Sequence, residues 1–257
     1  MQFCAHLGYQ FTEFSGLDRL EQAANAGFKA VEWPAIYNFD IIDLAKRSNA
    51  LGLNWVQVTL PTGDAAKGEK GLTSLKARRD DFLRSLDVAV EYAKALGATM
   101  IHPMAGVGAS LSDPESMEVY LRNLESAQAV ASENGLKVIV EVISQATVPG
   151  YAMCTYELAA QVCEKLPEVN LLLDAFHAQT LTGNPAKLVS EWAGRIGHIQ
   201  IADSPGRHEP GTGSINFESF FNSLKTAGYD GWVGCEYNPK GTTHEGLSRL
   251  DALRPFL

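Results

Sequence analysis

Short apolar runs alternate along the whole chain with longer stretches in which apolar residues recur every three or four positions. Short continuous apolar runs are typical of buried parallel strands, and the longer period is typical of helices with one buried face. Several helical stretches end at a glycine, as at Gly27, Gly97 and Gly228. The pattern predicts eight strands, over residues 3–7, 30–33, 55–60, 99–102, 137–141, 170–174, 196–201 and 232–236.

The regular alternation of strand and helix favours one fold class. Eight units in 257 residues give about 32 residues for each, which is long enough for one strand–helix unit. Strands separated by helices pair in parallel, and eight such units close into a (β/α)8 barrel. An open doubly wound sheet is the competing architecture, but no glycine-rich dinucleotide loop follows the first strand. The sequence therefore predicts an α/β fold, a single TIM-barrel domain over residues 1–257.

Composition and charge narrow the classes of function. With 46% hydrophobic and 20% charged residues, the chain has the composition of an ordinary globular protein. Its net charge of −9 disfavours binding to nucleic acid, and it has no apolar run of the length, about 18 residues, that crosses a membrane. Four well-separated cysteines and an N-terminus without a secretory signal predict a cytoplasmic protein. The sequence leaves a homo-oligomer open.

Polar side chains end four adjacent strands of the predicted barrel. Glu141 ends the fifth strand, Asp174 the sixth and Glu236 the eighth. Gln200 lies near the end of the seventh. Active-site residues of such barrels lie at the carboxyl ends of the strands, so we expect these side chains to converge. Carboxylate and amide oxygens suit Mg²⁺ or Mn²⁺, and a cation would relieve the repulsion between the acids. A separate capping or surface role for each acid is the simpler alternative.

Four further side chains are candidates for binding a small-molecule substrate. His177 follows Asp174 by three positions, and His102 ends the fourth strand. Each histidine either lines the cavity or is an ordinary packed residue. Arg207 and Glu209 lie in the long loop after the seventh strand. An arginine there either holds a carboxylate by a two-pronged hydrogen bond or forms a surface ion pair.

These strand-end motifs resemble the hydroxypyruvate isomerase family, within the xylose-isomerase-like barrels, and are especially similar to its 2-oxo-tetronate isomerase branch. The resemblance runs nearly end to end, and its later motifs are fairly specific. The segments that carry it are 102–107 (HPMAGV), 140–141 (VE), 173–179 (LDAFHAQ), 198–202 (HIQIA), 207–210 (RHEP) and 232–237 (WVGCEY).

The resemblance implies a metal-dependent isomerase that interconverts aldose and ketose forms of a short hydroxy-oxo acid. The implied reactions convert hydroxypyruvate to tartronate semialdehyde, or 2-oxo-tetronate to 3-oxo-tetronate. Glu141 and Glu236 are implied as the acid/base pair that transfers a proton through a cis-enediolate. The implied metal ligands are Glu141, Asp174, Gln200 and Glu236, with His177 and Arg207 at the substrate.

Five positions depart from the family pattern. Val142 stands where proline or alanine usually follows the first glutamate. Ser144 and Gln145 replace an asparagine and a histidine of the hydroxypyruvate enzymes. Asn238 replaces an expected lysine, and Val58 replaces a histidine of the third strand. These changes affect substrate recognition more than the metal ligands or the two glutamates, so the sequence leaves the substrate open.

Three other functions stay open at this point. A ketose 3-epimerase would use the same barrel and ligands but would return the proton to the same carbon. An abasic-site endonuclease shares the fold family, but its histidine-rich zinc cluster fits poorly with Gln200 and the acidic set. A barrel without catalysis would bind a ligand or a partner. The glycine-containing loop 62–71 is either a lid over the site or an ordinary surface loop.

Overall fold

The structure of the protein is a computed structural model that describes residues 1–257. The strands are β1 (Gln2–His6), β2 (Ala30–Glu32), β3 (Asn54–Trp55), β4 (Gln57–Thr59), β5 (Met100–His102), β6 (Lys137–Glu141), β7 (Asn170–Asp174), β8 (Ile196–Ile201) and β9 (Trp232–Cys235). The helices are α1 (Asp18–Asn25), α2 (Ile41–Ala50), α3 (Arg79–Leu96), α4 (Pro114–Glu133), α5 (Tyr156–Lys165), α6 (Ala175–Thr182), α7 (Pro185–Glu191), α8 (Phe217–Thr226), α9 (Thr243–Gly246) and α10 (Ser248–Asp251).

Contacts between residues divide the chain into two compact units. The first unit comprises Met1–Val56 and Leu172–Leu257, and the second comprises Gln57–Leu171. Strands β1, β2, β3, β8 and β9 and most of β7 belong to the first unit, and β4, β5 and β6 belong to the second. The predicted single domain over residues 1–257 stays a prediction.

In the first unit the strands are ordered β3-β2-β1-β9-β8, with β7 next to β8. Strand β1 pairs in parallel with β2, where Ala5 lies opposite Val31, and with β9, where Cys4 lies opposite Gly234. Strand β8 also pairs in parallel with β9, and Gln200 lies opposite Gly234. Parallel pairing brings the carboxyl ends of these strands to one edge, which is where their polar residues lie.

In the second unit the strands are ordered β4-β5-β6. Val58 of β4 lies opposite Ile101 of β5, which lies opposite Val138 of β6, and both pairings are parallel. Val138, Ile139 and Val140 are all buried. A continuous buried run of this kind is what the sequence predicts for a strand covered on both faces.

The predicted strand over 55–60 is wrong in one respect, because the structure has two strands there, β3 and β4. The N–H of Val56 donates to the carbonyl oxygen of Val31 at 3.1 Å. The N–H of Leu60 donates instead to the carbonyl oxygen of His102 at 3.0 Å. The chain changes its pairing partner within one apolar run, which an apolar pattern by itself does not reveal.

Side-chain caps explain where two important helices begin. The carboxylate of Asp113 accepts a hydrogen bond from the N–H of Ser116 at 2.9 Å, and Pro114 lies in the first turn of α4. Helix α6 was not predicted, because its apolar residues do not form one face. It begins where the side chain of Asp174 accepts a hydrogen bond from the N–H of Phe176 at 2.7 Å.

None of the ten helices combines the length and apolar character needed to span a bilayer.

The loop 62–71 is exposed at its tip and tied at its base. The N–H of Gly71 donates to the carbonyl oxygen of Thr62 at 2.9 Å. The carboxylate of Glu69 accepts a hydrogen bond from the N–H of Asp64 at 2.6 Å and forms an ion pair with Arg78. The role of this loop as a lid stays a prediction.

Candidate active site

One arginine joins two strand-end carboxylates of the first unit. Asp174 ends β7 and Glu236 follows β9, and their side chains are 0% and 12% exposed. Nη2 of Arg207 lies 3.0 Å from Oδ2 of Asp174 and 2.8 Å from Oε1 of Glu236. The structure thus brings together three of the residues that the sequence singles out.

A single buried aspartate organises the loop that carries Arg207. Asp203 follows β8, and its carboxylate accepts hydrogen bonds from the backbone N–H groups of Ser204, Gly211, Gly213 and Ile215. Arg207 has a φ of 55°, in the left-handed region that few non-glycine residues occupy. Its guanidinium lies 5.0 Å from the ring centre of Tyr9 and 5.3 Å from that of Phe176. Sequence reasoning missed Asp203, although an acid directly between a strand and a glycine-rich loop was the available signal.

Burial changes the protonation of the groups around this pair. It raises the pKa of Glu236 to about 8; the charge of Arg207 lowers that pKa, and the charges of Asp174 and Glu32 raise it. Burial also lowers the pKa of His177 to about 4, against the opposing effect of Asp174. Nε2 of His177 lies 3.8 Å from Oδ2 of Asp174. At neutral pH the site combines a neutral imidazole with a carboxyl group that holds its proton more tightly than usual.

A buried glutamate, itself in contact with a buried histidine, holds the side chain of Gln200. Its Nε2 donates to Oε1 of Glu32 at 3.1 Å, and its Oε1 is buried without a hydrogen-bond partner. Oε2 of Glu32 lies 2.8 Å from Nε2 of His198. Because His198 and Gln200 contact the same residue, both face the same side of β8, as the alternation along a strand predicts. Sequence reasoning missed Glu32, whose signal was a single acid within the apolar run 30–33.

The donor atoms of the first unit fit a hard divalent cation. Asp174 and Glu236 offer carboxylate oxygens, and Gln200 offers a buried amide oxygen that no hydrogen bond satisfies. A buried polar atom without a partner is costly, so this oxygen suits a ligand. A donor set made of oxygen atoms alone matches Mg²⁺ or Mn²⁺ better than a structural zinc ion.

The remaining predicted residues lie elsewhere in the two units. Glu141 ends β6 and His102 ends β5 in the second unit; both are buried, with Nε2 of His102 4.0 Å from Oε2 of Glu141. Glu209, in the first unit, is buried, and its Oε1 accepts a hydrogen bond from the N–H of Lys240 at 2.9 Å. That contact fixes the segment after β9. The roles of these three residues in catalysis or binding stay predictions.

Known proteins are similar to this chain along nearly its whole length. The family model of the xylose isomerase-like TIM barrel matches residues 20–253. The chain is 38% identical to the 2-oxo-tetronate isomerase of Cupriavidus necator, over 100% of this chain and 98% of the relative. It is 34% identical to the hydroxypyruvate isomerase of Escherichia coli, over 99% of this chain and 100% of the relative.

A solved structure supports the same fold. The crystal structure of AP endonuclease, family 2 from Brucella melitensis is similar with a TM-score of 0.94 and 35% sequence identity, covering 99% of this chain and 98% of that one. The TIM-barrel fold predicted from the alternation of strands and helices is therefore confirmed. The chain belongs to the hydroxypyruvate isomerase family of isomerases, within the xylose isomerase-like TIM barrels.

Proposed function

We propose that this protein is a divalent-metal-dependent isomerase of short hydroxy-oxo acids. The observation that carries the proposal is the pair Asp174 and Glu236, bridged by Arg207. In the metal-free protein burial raises the pKa of Glu236 to about 8, so this carboxyl group binds a proton more readily than an ordinary glutamate. The names of the relatives, hydroxypyruvate isomerase and 2-oxo-tetronate isomerase, support the same class of reaction.

Oxygen donors of the strand ends would hold the cation. Asp174, Gln200 and Glu236 are the proposed ligands in the first unit, and the family motif alone assigns Glu141 as the fourth. When bound, Mg²⁺ or Mn²⁺ supplies a positive charge that polarises a carbonyl group and stabilises negative charge on oxygen. The buried amide oxygen of Gln200 supports this ligand set, because it has no other partner.

Two glutamates would transfer the proton. One of Glu141 and Glu236 removes a proton from the carbon that bears the hydroxyl group, which leaves an enediolate. The other returns a proton to the neighbouring carbon, and the proton of the hydroxyl group passes to the former carbonyl oxygen. Together these steps convert hydroxypyruvate to tartronate semialdehyde, or 2-oxo-tetronate to 3-oxo-tetronate, without any net change in atoms.

Arg207 and His177 would bind the substrate. A guanidinium group presents parallel N–H donors that match a carboxylate, and Arg207 already contacts two carboxylates in this structure. Burial lowers the pKa of His177 to about 4, so at neutral pH it offers a neutral imidazole to a substrate hydroxyl. His102 and Glu209 complete the proposed binding residues, and we expect the reaction to take place in the cytoplasm.

An activity screen tests this proposal. Three- and four-carbon hydroxy-oxo acids are incubated with Mg²⁺, with Mn²⁺ and with a chelator, in deuterated water. We expect one of them to be isomerised, with deuterium at the carbon that receives the proton, and no turnover with the chelator. Failure to convert any of these acids would contradict the proposal. A product that differs from its substrate only at one stereocentre would indicate the epimerase instead.

A second candidate function is that of an AP endonuclease, the name given to the similar protein from Brucella melitensis. A DNA duplex with one abasic site, incubated with the protein and Zn²⁺, tests it directly. We expect no cleavage, because the net charge of −9 repels phosphate and the donor set contains more carboxylates than histidines. Cleavage at the abasic site without isomerase activity would favour the endonuclease.

A further inference from the structure

A chain of three polar side chains lies buried in the first unit. His198, Glu32 and Gln200 are 0%, 0% and 2% exposed. Nε2 of His198 lies 2.8 Å from Oε2 of Glu32, whose Oε1 accepts a hydrogen bond from Nε2 of Gln200 at 3.1 Å. Burying a carboxylate is costly unless it is paired, so a fully buried glutamate that contacts two other polar residues points to a functional role.

The hydrogen bond between Glu32 and Gln200 determines which way the amide of Gln200 points. A carboxylate only accepts hydrogen bonds, so the group that faces Glu32 must be the NH₂ of the amide. The amide oxygen then faces the opposite direction, where it is buried and has no hydrogen-bond partner. A glutamine without this contact could present either its oxygen or its NH₂, and only the oxygen can bind a cation.

A glycine on the neighbouring strand makes room for the contact. Gly234 lies opposite Gln200 in the pairing of β8 and β9. A Cβ atom at position 234 would lie 2.0 Å from Oε1 of Glu32 and 3.0 Å from Cγ of Gln200. Any side chain at this position would therefore push Glu32 away from the amide.

We propose that Glu32 is a positioning residue for the metal site: held by His198, it fixes the amide of Gln200 so that the oxygen faces the cation. This inference rests on the proposed function, in which Gln200 is a metal ligand. It adds two residues, Glu32 and His198, which position the ligand Gln200 without binding the cation themselves.

The substitution Glu32→Gln tests the inference with nearly unchanged shape. As long as His198 keeps the Nε2–H with which it faces the carboxylate of Glu32, the new amide presents its oxygen to that N–H, its NH₂ faces Gln200 and the amide of Gln200 turns over. We expect Mn²⁺ affinity, measured by titration calorimetry, to fall about 10–100-fold, the usual loss for a partner of a metal ligand. Glu13→Gln is the matched control, because it removes the same charge from an exposed residue of this unit, and its Mn²⁺ affinity should equal that of the parent.

A double variant provides the rescue. In Glu32→Gln/Gln200→Glu the carboxylate at position 200 accepts a hydrogen bond from the amide at position 32 and offers its other oxygen to the cation. Its Mn²⁺ affinity should exceed that of Gln200→Glu alone, in which two carboxylates face each other. This comparison holds even if Glu32→Gln by itself fails to fold, as judged by circular dichroism.

The outcomes separate the two proposals. If the parent binds Mn²⁺ and folded Glu32→Gln binds it equally well, the positioning role is wrong and the proposed function stands. If the double variant binds no more tightly than Gln200→Glu, the positioning role is likewise wrong. If the parent binds no Mn²⁺ or Mg²⁺ at all, the metal-dependent function fails and the positioning role fails with it.

Discussion

Glu32 is fully buried and the side chain of Glu236 is 12% exposed in the same unit, and the pKa values of these two glutamates shift in opposite directions. Burial raises the pKa of both. At Glu32 the hydrogen bond and charge of His198, with smaller effects of His6 and Gln200, outweigh burial and hold the pKa at about 2. At Glu236 the charge of Arg207 is opposed by Asp174 and Glu32, and the pKa rises to about 8. The number and sign of the neighbouring groups therefore decide the outcome, rather than burial alone.

This difference separates a positioning role from a catalytic one. A carboxylate with a pKa of about 2 stays an anion at neutral pH and can only hold hydrogen-bond donors, as Glu32 does. In the metal-free protein Glu236 has a pKa of about 8 and so binds a proton far more readily than Glu32, which suits an acid/base catalyst. The same residue type serves both purposes because its surroundings differ.

The largest expected effect is that of Glu236→Gln. An amide cannot accept or return the proton, so we expect kcat to fall about 10²–10⁴-fold at saturating Mn²⁺. Glu32→Gln should instead regain much of its kcat when Mn²⁺ is raised, because it weakens binding of the cation. Steady-state kinetics at several Mn²⁺ concentrations measures both. Equal recovery of the two variants would remove the distinction between the two glutamates.

Arg207→Gln should mainly weaken substrate binding. Hydrogen bonds to charged groups contribute about 1.5–3 kcal/mol, which corresponds to a rise in KM of about 10–100-fold for a carboxylate substrate. Arg207→Lys is the control, since it keeps the charge but loses the paired donors. Its KM should lie between that of the parent and that of Arg207→Gln. An unchanged KM in Arg207→Gln would show that Arg207 does not contact the substrate.

In protein freed of metal by a chelator, the stability contributions of Glu236 and Glu32 should depend on pH in opposite ways. The folded state raises the pKa of Glu236 from 4.5 to about 8, so its contribution to the unfolding free energy is complete below pH 4.5 and is lost as pH rises through about 8. Glu236→Gln, which cannot ionise, should lose less stability than the parent over this interval. Urea unfolding at a series of pH values measures it.

Glu32 should show the opposite dependence. Its pKa falls from 4.5 to about 2 in the folded state, so its contribution is complete above pH 4.5 and is lost as pH falls through about 2.

Parallel stability curves for Glu236→Gln and the parent between about pH 5 and 8 would argue against the raised pKa of Glu236.

The smallest expected effect concerns an exposed glutamate, Glu13, which extends the comparison to the surface. Burial opposes ionisation there too, but hydrogen bonds from the N–H of Glu13 itself and from Thr243 lower its pKa. Its contribution is therefore present above pH 4.5 and is lost in acid. We expect Glu13→Gln to lower the unfolding free energy at pH 7 by about 1 kcal/mol, the usual value of one hydrogen bond, and by less at pH 3. A loss that is equal at both pH values would contradict this account.

The strand-end residues were predictable because they depend on local pattern. Glu141 and Asp174 each follow a continuous apolar run, and β6 and β7 end at those residues. The division of residues 55–60 into two strands was not predictable, because it depends on which neighbouring strand accepts each backbone N–H hydrogen bond. Helix α6, which carries His177, was missed because its residues form no apolar face. This helix begins at Asp174, which caps it and is also the acid that ends β7.

The sequence by itself determined the alternation of strands and helices, the acids at the strand ends and the family, since each is a property of neighbouring residues or of a continuous motif. Only the tertiary structure decided what each acid does. Glu32 and His198 are 166 positions apart in the chain, yet their contact at 2.8 Å makes one glutamate a permanent anion. Glu236 is set apart from it by Arg207 and Asp174, which lie on other elements. The pKa of a buried group depends on partners brought close by folding, and no local pattern contains them.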